Sequence, residues 1–332
     1  MQPQAYSSAV SDKKGTSPLI SGVMKKMKVD LARLHRAREL LVTDETTDIL
    51  LTTLEGLGVE LSNRWRSVGQ VQGLSQAMQN YLARARAVSD AIIYASERLT
   101  EVFIRHRCID WMRNELAYET NPDIFAQASD PKAQSWRLFM GLAIKDFHVD
   151  IGSLMDALAP VIIQAKGKLK SKDKSNLPGW ADIQSGTKRS YREQLAVDLC
   201  AAVDSTDRWW PGVKKVRDLL THRKHDRIIF GNYEDGILFQ VYDESRHPKI
   251  VLPQVLYGKG KNVVDFDLYS AFILAEVVTL LDELGKIIAP KLQISETGLA
   301  QRCLRVVDKS VGQSIERLIR KNKGQGKIGK EK

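Results

Sequence analysis

The chain has 332 residues, 43% hydrophobic and 27% charged, with a formal net charge of +10, which is ordinary globular composition with room for about two domains. Three scattered cysteines, Cys108, Cys200 and Cys303, form no CxxC pair and argue against a secreted disulfide framework and against a zinc site. The polar first twenty residues lack the apolar stretch of a signal peptide. The most apolar run, residues 268–281, is interrupted by Glu276 and is too short for a membrane span, so a cytoplasmic protein with no membrane partner is expected.

Residues 1–21 are polar and aperiodic and read as a disordered N-terminus. A helical domain is expected over 22–125. Its first helix carries Val23, Met27, Leu31, Leu34 and Leu41 at helical spacing. A second helix is expected from Asp44 and Glu45 to Leu54, bent or ended by Gly56-Leu57-Gly58. One long helix follows over 72–118, where Tyr81, Val88, Ala95, Val102, Ile109 and Leu116 recur seven apart. Met78, Ala85, Ile92 and Leu99 lie between them, so this heptad-like stripe packs on a helix partner. The stripe breaks at His106 and Arg113, where the seam is expected to reach solvent, with His106 an edge histidine.

Two helix-stopping signals, Asn121-Pro122-Asp123 and Ser129-Asp130-Pro131, place a domain boundary before a second helical bundle over 132–292. Its first helix, 136–164, is expected to bury Leu142, Phe147, Ile151, Leu154, Leu158 and Val161. A basic loop over 166–179 and a helix over 188–203 come next. Trp209-Trp210-Pro211-Gly212 then introduces a short helix over 212–222, and Pro211 suits its first turn because it has no N–H to lose there. Apolar runs at 228–230 and 237–242 flank Asn232-Tyr233-Glu234-Asp235-Gly236 and predict a β-hairpin over 227–243. A third extended segment is expected at 249–256. Asp265 then caps a long apolar helix to about residue 288. Residues 293–332 read as a basic amphipathic helix over 299–319 and an unstructured tail. The expected fold class is mostly α: a helical N-terminal domain, then a helical bundle with an inserted β-hairpin.

The positive charge is uneven. Residues 1–38 hold eight Lys/Arg against two Asp, and residues 302–332 hold ten against three acidic residues. Between Arg208 and Arg227 lie seven Lys/Arg and two Asp, around the sequence Arg217-Asp218-Leu219-Leu220-Thr221-His222. A basic cluster on a folded helix end attracts polyanions. His transfers protons near neutral pH, and Arg offers a permanent forked charge to phosphoryl oxygens. Asp218, four residues before His222, shares its helix face and suits the orientation of an imidazole. Arg217 lies five before His222, about 140° around a regular helix, so bringing the two together takes a distorted helix end or a second chain.

Arg217 and Asp218 followed by His222, on a short helix between a first helix containing Phe147-His148-Val149-Asp150-Ile151-Gly152-Ser153-Leu154-Met155-Asp156 and a long apolar closing helix, resembles the HEPN superfamily. These are the higher eukaryotes and prokaryotes nucleotide-binding domains, and the resemblance covers roughly 132–292. It implies a metal-independent endoribonuclease with no cofactor, acting on RNA as a homodimer whose two motifs form one composite site. Such an activity suits a toxin or defence effector with a protein regulator. In that reading Arg217 stabilises the phosphorane, His222 is acid or base, and Asp218 orients His222. Lys214, Lys215, Arg223, Lys224 and His225 hold the RNA backbone, and no residue binds a metal. The other reading is a non-catalytic helical module that binds nucleic acid or a protein through the long helix and the basic C-terminal helix. Asp218 and His222 are then a plain surface pair. His148 is expected at the core edge, and Trp209 and Trp210 as core residues or a stacking platform, while Asp150 and Asp156 could face the motif helix as polar partners, an orientation the sequence leaves open.

Overall fold

The computed structural model describes residues 29–41, 48–50, 52–68, 70–119, 131–166, 178–184, 192, 195–222, 229–230, 237–240, 252–257, 263–294, 302–304 and 309–328. Among these the chain is mostly helical, with two small antiparallel sheets. The helices are α1 (Leu31–Leu41), α2 (Thr53–Val68), α3 (Gln76–Glu119), α4 (Pro131–Lys166), α5 (Trp180–Gln184), α6 (Val197–Asp204), α7 (Trp210–His222), α8 (Phe266–Lys291) and α9 (Lys309–Ile328). The expected terminus 1–21, the start of the first helix, most of the loop at 166–179 and the hairpin tip lie outside the described residues.

α8 is buried on nearly every side and forms the centre of the fold, with α1, α2 and α9 packed around it. Its N-cap is the expected one: the Asp265 carboxylate accepts the Leu268 amide at 3.1 Å. α3 runs along α4 as the heptad-like stripe predicts, with Ala85, Val88, Ile92, Ala95, Leu99, Val102 and Ile109 buried. One apolar core extends from Val29 to Ile319, so helices on both sides of the 121–131 segment share it.

Several local expectations are corrected by the structure. The helix expected up to Leu54 is instead strand β1 (Asp48–Leu50), paired antiparallel with β5 (Arg302–Leu304) in the register Ile49 to Cys303. α2 starts at Thr53 because Thr52 and Glu55 form a capping box. The Thr52 amide and hydroxyl donate to Glu55 Oε2 at 3.2 and 2.9 Å, and the Glu55 amide donates back to Thr52 Oγ1 at 3.4 Å. Gly56 and Gly58 do not break this helix. A Cβ on Gly58 would lie 2.6 Å from Ile92 Cγ2, so its glycine lets α2 press against α3.

His106 is buried rather than at a wet edge. Its Nε2 is 3.0 Å from Ser270 Oγ, and its ring stacks on Phe266 at 6.3 Å. Arg113 is drawn inward by both Asp267 oxygens at 2.8 Å and by Asp110. Leu142, expected in the core, is 46% exposed. The described helix before the motif is only Val197–Asp204, followed by a 3-10 turn over Ser205–Arg208.

The hairpin forms as expected, with β2 (Ile229–Phe230) against β3 (Leu238–Gln240). Its third strand is β4 (Val263–Asp265), not the 249–256 segment, whose described end is a 3-10 turn at Gln254–Leu256. The last helix also shifts: residues 302–304 are strand β5, and α9 runs from Lys309 into the tail that looked unstructured. Val311, Ile315, Leu318 and Ile319 hold it on the core.

Candidate functional site

α7 opens where the 3-10 turn ends. The Trp209 amide donates to the Thr206 carbonyl at 3.1 Å, and the Val213 amide donates to the Trp209 carbonyl at 3.2 Å. Trp209 and Trp210 lie 5.9 Å apart, edge to face, and both are buried, so they are core residues and no stacking platform. Val213 and Val216 are buried and Leu219 and Leu220 are half-buried, which lays this helix on α4. Arg217 and Asp218 therefore fall on the flank of α7, beside α4.

The Arg217 guanidinium grips its neighbour. Nε and Nη2 both donate to Asp218 Oδ1, at 3.1 and 2.9 Å. The arginine side chain is 25% exposed and the aspartate 43%. Thr221 Oγ1 donates to the Arg217 carbonyl at 2.8 Å, closing the last turn. Helical structure continues to His222, whose side chain, with Arg223, Lys224 and His225, lies outside the described residues. Lys214 is half-buried and Lys215 exposed on the same short helix. Arg217 and Asp218 are thus brought together, a contact that sequence spacing did not single out because adjacent helical residues do not usually face each other.

The acidic residues of α4 turn elsewhere. Asp150 accepts Arg105 Nε at 3.2 Å, and Asp156 Oδ1 accepts the Trp180 amide at 3.0 Å. Neither bonds a described side chain of the motif helix. His148 is fully inside the core, not at its edge. Its Nδ1 donates to the Ile144 carbonyl at 2.7 Å, so Nε2, 2.9 Å away, accepts the Tyr269 hydroxyl. Burial lowers the His148 pKa from 6.5 to about 4, against the smaller pull of the Ile144 carbonyl.

That shift predicts acid lability. Between pH 6.5 and about 4 the unfolded chain takes a proton at this histidine that the folded chain refuses, so stability falls as pH drops. The expected loss from pH 7 to 4.5 is roughly 2–3 kcal/mol from this group. Urea unfolding at both pH values measures it, and His148→Gln is expected to flatten that part of the profile. An unchanged slope in the variant assigns the lability to other groups.

Among the described residues no group of three His, Cys, Asp or Glu side chains could hold a metal ion, and no helix is long and apolar enough to cross a membrane. Compared with known protein families, with curated proteins and with solved structures, the chain matches none.

Proposed function

We propose that the chain is a metal-independent endoribonuclease of HEPN type, and the observation that carries this reading is the fixed, partly exposed Arg217 beside Asp218 on the last turns of α7. RNA cleavage by the 2′-hydroxyl needs three things: removal of its proton, neutralisation of the pentacovalent phosphate, and a proton for the departing 5′-oxygen. Arg217 supplies the charge for the phosphoryl oxygens, already oriented before substrate arrives. His222 carries the proton steps. The products are a 2′,3′-cyclic phosphate and a 5′-hydroxyl. Lys214 and Lys215, with Arg223, Lys224 and His225 after the helix, hold the RNA backbone by charge.

α7 is helical through position 222, which leaves positions 217 and 222 about 140° apart around the helix. The composite site therefore takes its arginine and histidine from two copies of the chain. Support for a homodimer comes from α4, where Leu138, Leu142 and Val149 are exposed along one face, the last of them about one turn before Gly152, against which Arg217 lies. Toxin or defence action under a protein regulator suits this chemistry.

The test is cleavage of mixed RNA in excess EDTA by the wild type, Arg217→Ala and His222→Ala. Each variant is expected to lose at least about a hundredfold in rate. Equal cutting by all three sinks the assignment. A specific observation favours the second reading, a binding module: α3 leaves Ile104 and Trp111 each 59% exposed on one face. In that case no RNA is cut, and a bound partner is retained by Arg217→Ala but lost on Trp111→Ala.

A further inference from the structure

We propose that Gly152 is a positioning residue for Arg217: the side chain missing from α4 is the notch in which the guanidinium lies. Gly152 sits inside the 36-residue helix α4, flanked by the core residues Ile151, Leu154 and Met155. Glycine is the poorest helix former apart from proline, so an interior glycine calls for a reason in packing. Here the reason is close approach. A Cβ at this position would lie 2.7 Å from Arg217 Nη1, 3.0 Å from its Cδ and 3.6 Å from its Cζ. Apart from α4's own backbone, the three nearest atoms of the described residues all belong to Arg217, so the glycine accommodates this arginine.

The guanidinium has two supports. Its Nε and Nη2 edge is tied to Asp218, and its Nη1 side rests against the α4 backbone at Gly152. Together they set the plane of a long side chain that would otherwise sample many rotamers, and they do so before any phosphate binds. A phosphoryl oxygen then meets a charge that does not have to reorganise. Misplacing a catalytic group by about 1 Å can lower a rate by as much as about a hundredfold, so a methyl group in the notch is enough to be felt. The atoms it displaces belong to a flexible side chain, so α4 itself has no need to move.

The activity arm of this proposal rests on the ribonuclease reading; the geometric arm does not. In Gly152→Ala the cleavage rate constant is expected to fall ten- to a hundredfold with KM little changed, while the melting temperature stays level or rises. Adding Arg217→Ala to that background is expected to cost far less than it costs the wild type, because the two changes remove one effect. Fully additive losses overturn the proposal, as does a Gly152→Ala enzyme with wild-type rate. The second readout is the Arg217 Nε–Hε resonance of the full chain, assigned by its loss in Arg217→Lys. It is expected to shift in Gly152→Ala. An unmoved resonance overturns the positioning role whether or not RNA is cut. A shifted resonance in a protein that cuts no RNA supports the positioning role and removes the ribonuclease reading instead.

Discussion

Replacing Glu276 with alanine is expected to destabilise the folded chain by about 3–5 kcal/mol. Glu276 is buried in the central helix and accepts Arg33 Nε at 2.6 Å and Arg208 Nη2 at 3.0 Å on the same oxygen. Its backbone carbonyl also accepts Arg33 Nη2 at 3.1 Å. Burial pushes the carboxyl pKa up, while Arg33 and then Arg208 pull it down. Taking this ion pair out of water is unfavourable in itself, so the pair adds little net stability. Removing one member is different, because Arg33, only 8% exposed, keeps its charge with no way to shed it. Glu283 also pairs with Arg33, and Asp30 with Arg208, yet both of those carboxylates are far more exposed than Glu276. Denaturant unfolding of Glu276→Ala measures the loss. The double variant Glu276→Leu with Arg33→Met is expected to recover most of it, since the buried Arg33 charge goes with its partner and the more exposed Arg208 keeps its pair with Asp30. A single variant within 1 kcal/mol of wild type means that Arg33 finds water or that Glu283 compensates, and the network is then peripheral.

Gly285→Ala is expected to be as severe, about 3 kcal/mol or more. Gly285 lies on α8 where α2 begins, and a Cβ there would meet Leu54 N at 2.2 Å, the Thr53 carbonyl carbon at 2.3 Å and Leu54 Cα at 2.7 Å. All three are backbone atoms, so no rotamer change relieves the overlap. The helices must move apart, and that movement breaks a second contact. Asp282, one turn earlier, accepts the Thr53 amide at 3.2 Å and its hydroxyl at 2.6 Å, and also takes the Arg36 fork at 3.0 and 3.2 Å. Burial opposes ionisation of Asp282, but hydrogen bonds from Arg36, Thr53 and Lys286 outweigh it and bring its pKa to about 2. The gain in helix propensity from Gly to Ala, about 1 kcal/mol, does not offset these losses. Thermal and denaturant unfolding of the variant decide the matter. Near-wild-type stability means that α2 and α8 separate without penalty, and the backbone contact is then incidental. The comparison with Gly152→Ala is direct: the same substitution meets backbone in one helix and a flexible arginine in the other.

Much of this fold was legible in the chain because its long helices carry their own periodic signal. The seven-residue recurrence from Tyr81 onward marked α3 and its buried seam, and Asp265 marked the start of α8. At His106 a seam viewed alone shows only a polar interruption. The Ser270 hydroxyl that satisfies it comes from a helix far along the chain. The start of α2 did have a local signal, Thr52-Thr53-Leu54-Glu55, which the apolar run of Ile49, Leu50 and Leu51 obscured. For the site, Arg217 and Asp218 are visible as a motif, and the Arg217–Asp218 pairing and the close approach of Arg217 to Gly152 are not. A glycine inside an apolar helix reports a close approach without saying what approaches.

The helical class, the long helices, the N-cap of α8 and the hairpin follow from the spacing of apolar residues and from turn chemistry within a few residues. Tertiary structure alone decided the pairing of β1 with β5, the burial of Glu276 between Arg33 and Arg208, and the seat of Arg217 against Gly152. Each depends on which distant backbone or charge arrives alongside, and short-range periodicity carries no information about that.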